Sequence, residues 1–370
     1  MNLARNTTWL TNGTVITPRG ARSARRGVLG LRGGRIVAIR TTAPRGARRI
    51  DVGGRFVAPG FIDLHIWGDP QKLSRDVVKG GTTSFLTTVG PCAPQELACR
   101  LDAIAASRKR QAASFSGARC LGAHLEGPFV NPAMAGALPK RWMRLPSVRE
   151  IRGLLRYAKA IRVVTMAPEL TGAMGVIAAL AKRGVRVSLG HTQADAQTAQ
   201  RAVAAGARMV THIFNRMPPL HHRDANLTSV ALADERVATM VILDGIHVSP
   251  EAFRLLLRCK GPDGVILETD SIAGAPPTAA TVRNGAYRTK AGVLAGSRLT
   301  MIGAVRNTVE FGKIALHEAV RLASLNPARA LGMERELGSI DPGKRADLVV
   351  FDRQFRVHMT LVNGAIVYQR

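Results

Sequence analysis

The chain is poor in acid, in aromatics, in lysine and in cysteine. Asp and Glu number 25 against 53 Lys and Arg over 370 residues, a formal net charge of +28. A basic surface attracts anions such as phosphorylated metabolites, nucleic acid or acidic lipid. Only ten of the 53 basic residues are Lys, and they are spread along the chain. The densest clusters are "RGARSARRG" (Arg19 to Gly27) and "RGARR" (Arg45 to Arg49). Neither is interleaved with aromatics, which make up 4% of the chain, so the material for stacking bases is missing. That argues against specific nucleic-acid binding and for a solvated, Arg-biased surface. Four cysteines, Cys92, Cys99, Cys120 and Cys259, show no CxxC spacing, which fits buried thiols in a reducing cytoplasm. No apolar run reaches the length of a membrane span, and "MNLARNTTWLTNGTVITP" has no signal-peptide core. The expected location is cytoplasmic, without membrane attachment.

What is present is core material: 46% of residues are apolar. Both ends read as short strands with Gly turns, "TVITP", "GVLGL" and "RIVAIR" at one, "ADLVVFD" and "RVHMTLVNGAIVYQR" at the other. Residues 1–54 and 334–370 are therefore expected to build a small β-sandwich domain. Between them, 55–333, apolar strands alternate with helical periodicity. Eight strands are expected: Val57–Ile66, Thr82–Val89, Cys120–Leu125, Ile161–Met166, Val185–Leu189, Met209–Phe214, Thr239–Leu243 and Val265–Thr269. A helical tract, Leu299 to Gly332, follows. Eight strand–helix repeats predict an α/β fold, a (β/α)8 TIM-type barrel.

Active sites of such barrels gather at the C-terminal ends of the strands. Strand one ends with Asp63 and His65. The third ends "HLEGP" with Glu126, the fifth "SLGHT" with His191, and the sixth carries "THIFN" with His212 and Asn215. The seventh ends "LDGIH" with Asp244 and His247, the eighth "ETD" with Glu268 and Asp270. A lone strand-end histidine is usually a hydrogen-bonded structural residue. Glu126, His191 and His212 at corresponding depths are a different matter. Two neutral imidazoles and a carboxylate suit one divalent ion of the Zn2+ type, with a position left for water. Fe2+, Mn2+ and Co2+ tolerate the same donors. Such an ion makes hydroxide available near neutral pH, and Asp270 could take the water's proton and pass it to a leaving group. The constellation specifies metal-assisted hydrolysis and no particular substrate.

The chain resembles the amidohydrolase superfamily and, within it, the N-acetylglucosamine-6-phosphate deacetylase family. The likeness runs through "VAPGFIDLHIWG", "GAHLEGPFVNP", "SLGHTQADA", "THIFNRMPPLHHR", "ILDGIHV", "ETDSIAG", "LAGSRLTMIGAVRN" and "GSIDPGKRADLVVFD". The resemblance implies that Glu126, His191 and His212 hold one metal and that Asp270 is general base, then acid. It further implies that Asn215 and His247 face the sugar, and that the backbone of Leu294, Ala295 and Gly296 closes over it. Arg223 would meet the substrate phosphate across a homodimer interface. The implied partner is a small amino sugar phosphate, and the implied products are acetate and glucosamine 6-phosphate.

Three positions depart from the family's pattern. Strand one often reads His-x-His or Gln-x-Asn there; here it reads His65-Ile66-Trp67, which leaves His65 as the remnant of a second metal site. The Gly-x-His that follows "HLEGPF" is Gly136-Ala137-Leu138, without the histidine expected to meet the carbonyl oxygen. The "FN-Ala-M" motif carries Arg216, a long cation beside the substrate that could donate to that oxygen, contact a second anion or occlude the site. Two alternatives stay open: an amidohydrolase for another N-acyl or cyclic amide compound, and a catalytically weak sugar-phosphate-binding homologue.

Overall fold

The computed structural model describes residues 7–18, 24–113, 117–272, 280–283 and 285–370. Residues 19–23 of the first basic cluster and 273–274 of "ETDSIAG" lie outside that set. Five strands lead in: β1 (Thr8–Ile16), β2 (Ala24–Arg32), β3 (Arg35–Arg40), β4 (Arg48–Asp51) and β5 (Phe56–Pro59). Eight parallel strands then pair in chain order: β6 (Phe61–Trp67), β7 (Thr82–Val89), β8 (Arg119–Glu126), β9 (Ile161–Met166), β10 (Arg186–Leu189), β11 (Met209–Val210), β12 (Ala238–Ile242) and β13 (Val265–Glu268). The chain turns at Asp270, whose N–H donates to His65 O at 2.8 Å, and β14 (Ser271–Ile272) pairs with β6, closing the ring. A hairpin, β15 (Ala280–Arg283) and β16 (Ala286–Thr289), stands beyond. Finally β17 (Leu348–Phe351), β18 (Val357–Val362) and β19 (Ala365–Gln369) return to the first sheet, whose order is β19-β18-β17-β5-β1-β2-β3 with β4 beside β1.

Helices fill the connections: α1 (Pro70–Asp76), α2 (Pro94–Ala113), α3 (Val148–Leu155), α4 (Ala173–Lys182), α5 (Ala196–Ala205), α6 (Leu227–Ala233), α7 (Pro250–Lys260) and α8 (Met301–Gly312), then α9 (Leu316–Ala323) and α10 (Leu325–Ala330). In α7 the local chemistry is explicit. Ser249 caps it by accepting from Ala252 N–H, Pro250 and Glu251 suit its first turn, and Arg258 and Lys260 suit its last. Phe253, Leu256 and Leu257 recur at helical spacing and are buried on the barrel side.

The expected strands differ from the observed ones in two instructive places. Val57–Ile66 is two strands that part at Gly60, the first belonging to the terminal sheet through its pairing with β1 and β17. Gly60 donates to Asp347 O at 2.9 Å and passes so close to Thr83 that a Cβ there would lie 2.2 Å from its Oγ1 and Cγ2. Only glycine fits. The sixth strand ends at Val210 rather than Phe214, because His212 and Phe214 take positive φ. The Leu299–Gly332 tract is α8, α9 and α10, broken around Lys313 and Ser324.

Each part has its own core. Leu10, Val15, Leu29, Ile36, Leu348 and Leu361 pack beneath the terminal sheet. Ile62, Leu86, Leu121, Val163, Met240 and Ile266 fill the barrel interior together with Leu331 and Leu337. The interior is thus packed, and the site rests on it.

Candidate metal centre and pocket

Five of the non-glycine residues with positive φ sit at the barrel mouth: His191, His212, Phe214, Arg216 and Asp270. L-residues adopt that backbone at a cost, and such costs gather where side chains must be aimed. Here the aim is convergent. The carboxylate of Glu126 ends β8, and its Oε1 lies 2.9 Å from His191 Nε2 and 3.1 Å from His212 Nε2. The two Nε2 atoms are 3.1 Å apart. All three residues are buried, and their donor atoms lie within 4.8 Å of one another, the one such group of this kind among the described residues.

The hydrogen bonds decide whether this donor set suits a cation. His191 Nδ1–H donates to Met134 O at 2.8 Å, and His212 Nδ1–H to Asn215 O at 3.2 Å. Each ring therefore turns a lone pair on Nε2 inward. Two lone pairs and a carboxylate facing one point repel one another unless something positive joins them. With protons alone in that role, burial pushes Glu126 up, but the charge of His65 and the hydrogen bonds from His191 and His212 outweigh it and hold the carboxyl well below its usual range. Burial pushes His212 down, yet the hydrogen bond and charge of Glu126 raise it overall. The residues fit a divalent ion.

A layer of polar contacts fixes the cluster from behind. Glu268 Oε1 accepts from His212 N–H at 2.7 Å, and its Oε2 faces His65 Nδ1 at 3.2 Å. Asp63 accepts from His65 N–H and from the Thr269 hydroxyl at 3.1 and 2.6 Å; burial pushes its carboxyl up to about 7 against these bonds. Glu268 and Asp63 were visible as strand-end acids, but nothing in the sequence said that they brace rather than bind.

His124 takes the structural reading expected of a lone histidine. Its Nδ1–H donates to Leu64 O at 2.8 Å and its Nε2 accepts from Thr165 Oγ1 at 2.7 Å. Burial, ahead of the charge of His65, pushes it down to about 3. A histidine depressed in the fold contributes stability that is complete above its unfolded value and lost as pH falls through the folded one. Unfolding should therefore become easier from pH 6.5 toward pH 3, with a His124 share of about 1.4 kcal/mol per pH unit. Urea melts across that range should show a slope shallower by about one proton in His124→Gln; equal slopes would refute the assignment.

Above the cluster opens a pocket of about 710 Å³. Asn215, Arg216, His247, Asp270, Leu294, Ala295 and Gly296 all line it with Glu126, His191 and His212. Burial, ahead of the charge of Glu126, raises Asp270 while His65 works against it. His247 Nδ1 is tied to Asp244 Oδ2 at 2.7 Å, which leaves Nε2 for a ligand. Gly296 must be glycine: its φ is +83°, and a Cβ would meet Asp270 O at 2.9 Å. The three departing positions, Trp67, Leu138 and Arg216, share this pocket. Arg216 lies over Gly136, where a Cβ would touch its Nε at 2.7 Å, and among the described residues no carboxylate pairs with it.

Arg223 is the expected site residue that the structure does not bring in. It is exposed, outside the pocket lining, with Nη1 against His222 Nε2 at 3.0 Å. Sequence reasoning missed Arg141, Trp142 and Arg288, all of which line the pocket. Arg288 arrives on β16, a hairpin that carries no strong strand pattern, and no motif marks the other two.

The model of the amidohydrolase family matches residues 56–367. The chain is 34% identical over 370 residues to N-acetylglucosamine-6-phosphate deacetylase of Bacillus subtilis (strain 168), covering 92% of this chain and 93% of that one. It is 36% identical over 329 residues to N-acetylgalactosamine-6-phosphate deacetylase of Escherichia coli O157:H7, covering 84% and 87%. Among solved structures, a mutant N-acetyl-D-glucosamine-6-phosphate deacetylase from Mycobacterium smegmatis in complex with N-acetyl-D-glucosamine-6-phosphate superposes with a TM-score of 0.87 at 31% identity, over 98% of this chain and 100% of that one. The fold and the sequence match thus coincide with a family already indicated by "HLEGP", "GHT" and "THIFN": the chain belongs to the amidohydrolase family and, within it, to the N-acetylglucosamine-6-phosphate deacetylases.

Proposed function

We propose that the protein hydrolyses the acetamide of an N-acetylhexosamine 6-phosphate, N-acetylglucosamine 6-phosphate foremost, to acetate and the free amine. The observation that carries this is the convergence of Glu126, His191 and His212 beneath Asp270 in one pocket. Those three residues would hold one divalent ion, zinc in our reading. When bound, such an ion acidifies water and polarises a carbonyl oxygen. Asp270 takes a proton from the attacking water and delivers it to the amide nitrogen, so that the C–N bond breaks as the amine departs. Asn215 and His247 orient the sugar, and the backbone of Leu294, Ala295 and Gly296 lies along it.

Arg216 is the group with most to gain from a substrate. It is a half-buried cation with no carboxylate partner among the described residues, in the same pocket as the Leu138 position where a donor is wanting. A hydrogen bond to a charged group contributes about 1.5–3 kcal/mol, so Arg216→Ala should lower kcat/KM by about 10–100-fold. Steady-state kinetics decide this, and an unchanged kcat/KM would place the side chain outside the reaction.

Arg223 supports a homodimer. It is charged, exposed and outside the lining of its own pocket, as a residue serving a neighbouring copy would be. The activity as a whole is tested by acetate release from N-acetylglucosamine 6-phosphate, N-acetylgalactosamine 6-phosphate and the unphosphorylated sugars, beside the metal content of the purified protein. Turnover that needs both the ion and the phosphate supports the proposal. Bound metal without turnover on any of the four would favour another N-acyl substrate, the reading that Leu138 and Arg216 motivate.

A further inference from the structure

Trp67 lines the pocket, and the mechanism leaves it unused. Trp67 ends β6 two residues after His65, and its indole Nε1–H donates to Asp270 Oδ1 at 2.8 Å. That is the one side-chain hydrogen bond Asp270 makes among the described residues, and Oδ2 carries none. The ring is held in place by close packing. It stands 6.3 Å from the His65 ring, centroid to centroid. Its far edge lies over Gly90, where a Cβ would meet Trp67 Cη2 at 2.8 Å and Leu138 Cδ2 at 3.5 Å. A residue other than glycine at 90 would push the indole off the carboxylate.

His65 turns its Nε2 toward the same ground. This buried nitrogen has no hydrogen-bond partner and lies 3.4 Å from Asp270 Oδ1 and 3.5 Å from Glu126 Oε2. An imidazole nitrogen between two carboxylates would help to hold a second cation. The indole forestalls this, because its nitrogen has no lone pair to offer a metal and its hydrogen already occupies the oxygen such an ion would need.

We propose that Trp67 is a positioning residue: its N–H fixes one oxygen of Asp270, so that the other is presented to the attacking water, and its ring keeps the ground beside His65 free of a second ion. The inference rests on the reading of Asp270 as the proton carrier, and the experiment separates the two. A carboxylate free to rotate costs orientation at the step where orientation matters most, with an expected loss of about 10–100-fold.

The test uses the full chain loaded with zinc. In Trp67→Phe, kcat on N-acetylglucosamine 6-phosphate should fall about 10–100-fold with KM little changed and one equivalent of zinc retained. Trp67→His, which can both donate and ligate, should recover part of kcat and take up zinc beyond one equivalent. Gly90→Ala should reproduce the kcat loss with the tryptophan still present, which covers the case of a Trp67→Phe protein that fails to fold. Independently of activity, the 15N–1H indole resonance that disappears in Trp67→Phe should move in Asp270→Ala. An indole resonance indifferent to Asp270→Ala, a kcat equal to the parent's in Trp67→Phe, or a loss confined to KM would each overturn the proposal. Full turnover in Asp270→Asn would instead sink the assignment of the proton carrier, while the resonance test on Trp67 would stand.

Discussion

Asp270→Asn should remain folded, keep its metal and lose hydrolysis by about 10³-fold or more, the upper part of the range for a positioned acid–base group. The reasoning is steric as well as chemical. An asparagine fills the same volume, and its Oδ1 can still accept from the Trp67 indole, so the pocket should keep its shape. What it cannot do is carry a proton from water to the amide nitrogen. Metal analysis and single-turnover acetate release on the same preparation give the answer. A variant that keeps its ion and stays within tenfold of the parent would show that the proton travels by another route.

Removal of the ion should cost as much, and should also register in stability. Glu126→Gln withdraws the one negative donor, leaving two lone-pair nitrogens and a neutral amide. Loss of an ion that stabilises developing charge by several kcal/mol corresponds to about 10³-fold or more in rate. Because the ion binds the folded chain, it stabilises that state by about 2.7 kcal/mol at a free concentration 100 times its Kd. A chelator should therefore lower the Tm of the parent and leave Glu126→Gln unmoved. The parent's drop should widen with rising pH. His212, raised in the ion-free fold, adds stability that is complete below its ordinary value of 6.5 and lost as pH climbs through the raised one. Protons and the ion also compete for the same lone pairs, so alkaline pH favours the loaded form. Identical melting of both proteins with and without chelator would remove the metal from the account.

The Glu–His–His cluster was legible because each member closes an apolar strand, and in a barrel of parallel strands the ends must converge. The apolar runs around Leu125, Leu189 and Val210 were enough to set Glu126, His191 and His212 at similar depth. The pocket rim was not legible. Arg141, Trp142 and Arg288 come from connections whose paths depend on packing, and no periodicity points at them. Arg223, singled out by motif, lies outside the pocket lining, since a match to a pattern does not fix the path its loop takes.

By itself the sequence determined the alternation of strand and helix, the two β-rich ends and the acids and imidazoles at the strand tips. These follow from side-chain period and local capping, which are read within a few residues of one another. Only the tertiary structure decided where the first strand parts, because Gly60 yields to Thr83 and Asp347, far away in the chain. It alone decided that Glu268 and Asp63 hold backbone N–H groups of His212 and His65 while Glu126 faces His191 and His212, and that Trp67 reaches Asp270 across 203 positions. Hydrogen bonds and close contacts between distant segments exist only once the ring has closed, and a linear pattern holds no record of that distance.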